Sequence, residues 1–148
     1  AQNVTLDIGN VQITTRSDAT DEVFERRSFS AELTLCQRYF NKTFALATAP
    51  ASSVSAEAIL TTMTRGASTA QYLPCAWSYG VRMRVAPTVV IYNPGAAGSQ
   101  FFCSSTGTSY TSCSGEGTEI ACAFIGTSPA GSSVGDTVRI HAAASAEL

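Results

Sequence analysis

Charge is scarce in this 148-residue chain: Asp, Glu, Lys and Arg make up only 14% of it, and it holds one histidine and one tryptophan. No basic run exists beyond Arg26-Arg27, and the formal net charge is −2. Affinity for nucleic acid phosphates is therefore not expected, since it depends on clustered cations that release counterions. Nor does any apolar run approach the roughly 18 residues a membrane-crossing helix takes, and no charged-then-apolar leader begins the chain, so no membrane insertion is expected. The five cysteines, Cys36, Cys75, Cys103, Cys113 and Cys122, contain no C-x-x-C, and the single His141 lies far from them in sequence. That spacing disfavours zinc, and neither a metal nor a cofactor is expected. No Gly-x-Ser-x-Gly elbow, phosphate-binding loop or repeat of 20 to 50 residues is present; Gly115-Glu116-Gly117 lacks a following lysine and reads as a loop.

What is present fits one domain with an N-terminal arm. Positions 1–42 carry six acids and five bases, whereas 43–148 carry only five acids and four bases. So thin a charge density over the longer part has two explanations: a surface made polar by Ser and Thr, or one covered by identical subunits. Val4, Leu6 and Ile8 alternate with polar residues, and Val11 and Ile13 continue in the opposite phase. Gly9-Asn10 then marks a bulge or a hairpin, because a period of two cannot change phase otherwise. Residues 16–25 read as a solvated connector; Asp18, Asp21 and Glu22 are too sparse for a calcium loop.

From Ser28, a capable N-cap, the apolar spacing turns helical. Phe29, Leu33, Cys36 and Phe40 share one face of a helix of roughly twelve residues. Ala31 stands where a capping box would have an acid, which weakens the start. That stripe packs either on its own β domain or about an axis with copies of itself. Beyond residue 42 the composition changes to β. Strands are expected at 44–49, 58–63, 81–85, 88–92, 100–103, 119–125 and 137–143, with a helix as the alternative around Ala56-Glu57-Ala58-Ile59-Leu60. The clearest is Val81-Arg82-Met83-Arg84-Val85, whose Arg82 and Arg84 form a cationic face directed at solvent or at a neighbouring subunit's carboxylates. Asn93-Pro94-Gly95 signals a turn. Cys103 and Cys113 bracket a hairpin tip that a disulfide could close, or are buried free thiols. The fold class is mainly β: an antiparallel sandwich or jelly-roll-like C-terminal domain preceded by a short strand and one short helix.

Catalytic chemistry finds little purchase. His141 alternates with Val138 and Ile140 in an expected strand and reads as structural rather than as a base. A glycosidase pair would have to be Glu116 with Glu119 or Asp136, whose geometry the sequence leaves open. Recognition is better served. Tyr72, Trp77, Tyr79, Tyr92, Asn93, Gln100, Phe101, Phe102 and Tyr110 are candidates to stack on or hydrogen-bond a sugar. Trp77 and Tyr79 share one face of an extended segment, and Tyr110, in an all-polar stretch, is the aromatic expected to be most exposed.

The stretch Phe24-Glu25-Arg26-Arg27-Ser28-Phe29-Ser30-Ala31-Glu32-Leu33-Thr34-Leu35-Cys36-Gln37-Arg38-Tyr39-Phe40 resembles a junction of tailed-bacteriophage fibre and receptor-binding proteins. Val81 to Val89, Tyr92-Asn93-Pro94-Gly95 and the final Ser145-Ala146-Glu147-Leu148 fit the same family. The resemblance covers the whole chain, strongest at the junction and weakest from Gln100 to Gly135. It implies that 1–27 ends a preceding carbohydrate-binding domain, that 28–42 is a helix near a threefold axis, and that 43–148 is the terminal β domain. It further implies a homotrimer with Phe29, Leu33, Cys36, Phe40, Arg82 and Arg84 at subunit contacts. The expected partners are other virion proteins and a host surface polysaccharide or protein, the latter bound through Tyr110, Trp77, Tyr79, Tyr92, Asn93 and Gln100. Assembly in the bacterial cytoplasm would favour reduced thiols. Two rival readings are a purely structural virion component, such as a head fibre, decoration or adaptor protein, and a small glycan depolymerase.

Overall fold

The computed structural model describes residues 28–147, which form one helix and nine strands. The expectations for the N-terminal strand, the Gly9-Asn10 phase change and the connector lie outside the described residues. Helix α1 spans Phe29–Gln37, with Ser28 as its N-cap. The Ser28 hydroxyl accepts from the Ala31 amide at 3.3 Å, satisfying one of the helix's orphan donors. The helix is shorter than the sequence spacing predicts. Its continuation is stopped because the carbonyls of Arg38 and Tyr39 accept the amides of Arg84 at 2.8 Å and Ala146 at 2.7 Å. The chain turns there into strand β1, Phe40–Lys42, so Phe40 lies on a sheet and not on the helical stripe. The boundary expected after residue 42 consequently falls at the edge of a strand that belongs to the C-terminal β domain.

The last strand, β9 (Thr137–Ser145), organises that domain. Val138, Ile140, Ala142 and Ala144 are all fully buried on its inner face, as a period of two requires. One edge of β9 pairs antiparallel with β1 and with β2 (Ile59–Thr62). The other edge pairs with β4 (Thr88–Tyr92) and with β5 (Phe102–Cys103), which continues to β6 (Thr108–Ser109). A second antiparallel sheet has β8 (Ala121–Thr127) between β3 (Ala70–Ser78) and β7 (Thr111–Gly117). Strand β3 slips register between Tyr72 and Ala76. Pro74 sits in that slip, and on an edge strand its missing amide is tolerated.

The two sheets share one core, to which Leu73, Cys122 and Phe124 contribute from one side and Ile91, Val138 and Ile140 from the other. The class is thus mainly β with antiparallel sheets in a sandwich-like arrangement. Where β4 crosses β7 the approach is close. A Cβ on Gly115 would lie 2.7 Å from Val89 Cγ1 and 3.0 Å from Cys122 Sγ. The Gly-Glu-Gly stretch is therefore strand β7 rather than a loop, and its glycines admit the neighbouring sheet.

Three further expectations are corrected. Residues 81–85 alternate as predicted, with Met83 buried, Val81 and Val85 half-buried, and Arg82 and Arg84 exposed, yet they form no strand. The Met83 amide donates to Glu119 O and the Arg84 amide to Arg38 O, both at 2.8 Å, so successive amides serve different segments instead of one ladder. Residues 44–49 curl into a loop because Lys42 Nζ donates to the carbonyls of Leu46 at 2.9 Å and Thr48 at 2.6 Å. The alternative helix near 56–60 is interrupted at Glu57, whose φ of 63° is left-handed, and Ile59 opens β2.

Candidate functional site

Among the described residues, helix α1 has no fully buried side chain. A nine-residue helix is marginal in water, so such an element depends on packing. Beside it runs an open groove of about 440 Å³, walled by Leu33, Cys36, Phe40, Phe44 and Leu46, with Gln37, Asn41 and Lys42 as its polar rim. Phe29 is 71% exposed and Leu46 61%; Leu35, Tyr39 and Phe40 are exposed as well. The sequence stripe and the groove coincide at Leu33, Cys36 and Phe40, although Phe40 reaches it from β1. Asn41 adds an unmet polar demand: its Oδ1 accepts the Lys42 amide at 3.0 Å, but its buried Nδ2 has no partner among the described residues.

The two arginines expected at subunit contacts differ. Arg82 pairs with Glu119 of its own chain, Nε donating to Oε2 at 2.7 Å, and its side chain stays 75% exposed. Exposed pairs of this kind contribute at most about 1 kcal/mol. Arg84 instead reaches the turn after α1, its guanidinium 5.7 Å from the centroid of the Tyr39 ring. Arg84 thereby borders the apolar region, whereas Arg82 is held at the β7–β8 turn.

The residues expected to contact a sugar are dispersed by the fold. Tyr110 is 0% exposed, packed edge-on to Phe101 at 5.8 Å between centroids. The expectation of exposure fails because its polar neighbours belong to a short hairpin, β5 to β6, that folds this one ring into the core. Its hydroxyl has no partner among the described residues, and burial raises its pKa. Tyr79 is buried too, and burial pushes its phenol up to about 12. Trp77 shares its face as expected but is half-buried, edge-on to Tyr79 at 5.0 Å. Asn93 is fully buried and builds the turn it signals: Oδ1 accepts the amides of Gly95 at 2.9 Å and Ala96 at 3.0 Å, while Nδ2 donates to Ser109 Oγ at 2.8 Å. Tyr92 is half-buried edge-on to Phe44, and Gln100 is half-buried. Buried Tyr110, Tyr79 and Asn93 offer no face to a ligand.

Of the candidates for sugar contact, Tyr72 remains open, 57% exposed on the outward face of β3. Its hydroxyl donates to the Glu116 carboxylate, 3.2 and 3.3 Å from the two oxygens. Gln71 and Leu73 on either side are buried, so β3 alternates. Pro74, two residues beyond Tyr72, weakens the strand signal of this segment in the sequence.

Residues with catalytic potential are individually engaged. Glu116 accepts from Tyr72, Glu119 from Arg82, and Asp136 Oδ2 accepts the Ser133 amide at 2.8 Å. His141 is buried between Thr43 and Ala56. All five cysteines are free thiols, so Cys103 and Cys113 do not close the hairpin. Burial pushes Cys113 up to about 11 and Cys122 up to about 12, which keeps both protonated and poorly nucleophilic at neutral pH. Among the described residues no cluster of His, Cys, Asp and Glu is arranged to hold a metal ion, and no helix is long and apolar enough to cross a membrane. Compared with known proteins, the chain matches no family model, no curated protein and no solved structure.

Proposed function

We propose that this chain is the distal part of a tailed-phage fibre or spike, a homotrimer whose β domain binds a host surface glycan. The observation that carries the reading is helix α1: an apolar stripe with no side chain fully buried among the described residues, bordering an apolar groove. Copies of the chain placed about an axis would cover Phe29, Leu33 and Leu46 together and supply the packing the short helix lacks. The likeness of the Phe24 to Phe40 junction to phage fibres supports the same arrangement. So does the low charge density of residues 43–148, which suits a surface partly shared between subunits. Three weak glycan sites on one rigid head raise avidity by orders of magnitude without tighter pockets.

The reading is tested by adsorption. Labelled protein is expected to bind susceptible bacteria and to compete with phage for attachment. Failure to bind any susceptible strain would favour the second reading, a structural virion component without a ligand. One observation leans that way: Tyr110, Tyr79 and Asn93, chosen from sequence as contacts, are core residues.

A further inference from the structure

We propose that the outward face of the β3–β8–β7 sheet carries a saccharide subsite built on Tyr72 and Glu116, taking a neutral hexopyranose. The proposal rests on the glycan-binding reading above and gives it a location. A pyranose has an apolar C–H face ringed by hydroxyls, so its receptor needs an open aromatic face with acceptors and donors at the edge. Tyr72 supplies the face. It is 57% exposed; Ile125 lies opposite it on β8, and the shorter Ala70, Ala76 and Ala123 lie around that pair, so the ring reaches across β8 with one face open.

The ring is also held in place. Its hydroxyl donates to Glu116 at 3.2 and 3.3 Å, so little rotamer freedom remains to be lost on binding. One phenolic donor leaves the carboxylate with spare acceptor capacity for sugar hydroxyls. Next to the ring lies an open depression of about 420 Å³, bounded by Ile125, Thr64 and Arg65. Its wall is fixed by Gln71, only 3% exposed, whose Oε1 accepts from the amides of Thr64 at 3.0 Å and Arg65 at 2.9 Å and from Thr64 Oγ1 at 3.0 Å. The Gln71 Nε2 at this wall has no partner among the described residues. Arg65 at the depression adds donors to the acceptor that Glu116 supplies, the complement a hydroxyl rim requires, and the carboxylate bonded to the Tyr72 hydroxyl disfavours an acidic sugar.

The test is protein-observed NMR of the intact chain with galactose, N-acetylglucosamine and glucuronate as probes. Saturable shifts are expected with a neutral sugar at the amides of Gln71, Tyr72, Glu116 and Ile125. Tyr72→Ala should weaken that binding about fivefold or more, and Tyr72→Phe less, since it keeps the ring and loses only the tether. Unchanged melting temperatures are expected for both variants, because the side chain is exposed. No saturable shift at these amides, or equal affinity for Tyr72→Ala, overturns the subsite. Adsorption to bacteria separates the two proposals. Wild type and Tyr72→Ala adsorbing equally sinks the subsite and leaves attachment standing, whereas sugar binding without any adsorption sinks attachment and leaves the subsite.

Discussion

The ring of Phe44 lies flat on the imidazole of His141, centroids 4.0 Å apart and planes within 10°. Phe44 is a wall of the α1 groove, so the buried histidine underlies the proposed assembly surface. Its tautomer follows from its partners. The Ala56 carbonyl, at 2.9 Å from Nε2, can only accept, so Nε2 carries the proton. Nδ1 is then the acceptor for the Thr43 hydroxyl at 2.7 Å, and that hydroxyl in turn accepts the Ala142 amide at 3.1 Å. Thr43 and His141 thus hold the chain after β1 against β9 through the neutral imidazole.

Stability should fall in mild acid because of this histidine. Burial lowers its pKa from the ordinary 6.5, opposed by the Ala56 carbonyl and the Glu57 carboxylate and assisted by the Arg139 guanidinium. A depressed folded pKa means that the unfolded chain takes up the proton first as pH drops. Full stability is present above 6.5 and is lost progressively below it, down to the folded pKa, with a slope of at most about 1.4 kcal/mol per pH unit. His141→Gln should remove that part of the pH dependence. An imidazole titrating at or above 6.5 in the folded protein, followed by NMR, would refute the assignment.

Gly115→Ala should destabilise the sandwich by about 1 to 3 kcal/mol, the usual cost of overpacking. The added methyl would meet Val89 Cγ1 at 2.7 Å, a contact between the two sheets. Val89→Ala should offset part of the loss, so the double variant unfolds in denaturant closer to wild type than additivity allows. Strict additivity of the two changes would mean that the sheets do not press on each other at this point.

Much of the fold was legible where side-chain pattern and backbone pairing coincide. Thr88–Tyr92, an apolar run ended by a turn signal, is β4 with the bounds expected, and Ser28 caps α1 as its residue type implies. Elsewhere the two part company. In residues 81–85 the alternation reports which side chains are inward and says nothing of where the amides bond. The glycines of β7 read as loop formers because the strand that needs their missing Cβ atoms, β4, is distant in sequence. Tyr110, expected to be exposed, is a core residue for a related reason. Polar neighbours surround its buried ring in a tight hairpin, while Pro74, two residues beyond Tyr72, masks the strand signal of β3. The α1 stripe was readable from spacing alone, but that the described β domain leaves it uncovered required the fold.

Assembly is the prediction on which the proposed function depends most directly. Light scattering should give a particle of about three times 15.4 kDa for the wild-type chain. Leu33, half-buried at the groove wall, is the position at which to break it. Within a lone protomer Leu33→Asp leaves its carboxylate partly in water and costs little. In a covered interface the same carboxylate is desolvated without a partner, which costs several kcal/mol and should disperse the assembly at micromolar concentration. Arg82→Gln serves as a control, since an exposed pair with Glu119 should shift stability by about 0.5 kcal/mol or less. Arg84→Gln, beside Tyr39, should weaken the assembly more, and in a salt-dependent way if the guanidinium meets a neighbouring subunit's carboxylate. A wild-type chain that stays monomeric at micromolar concentration, with α1 still helical, would show that the stripe needs no copies of itself and would remove the trimer from the proposal.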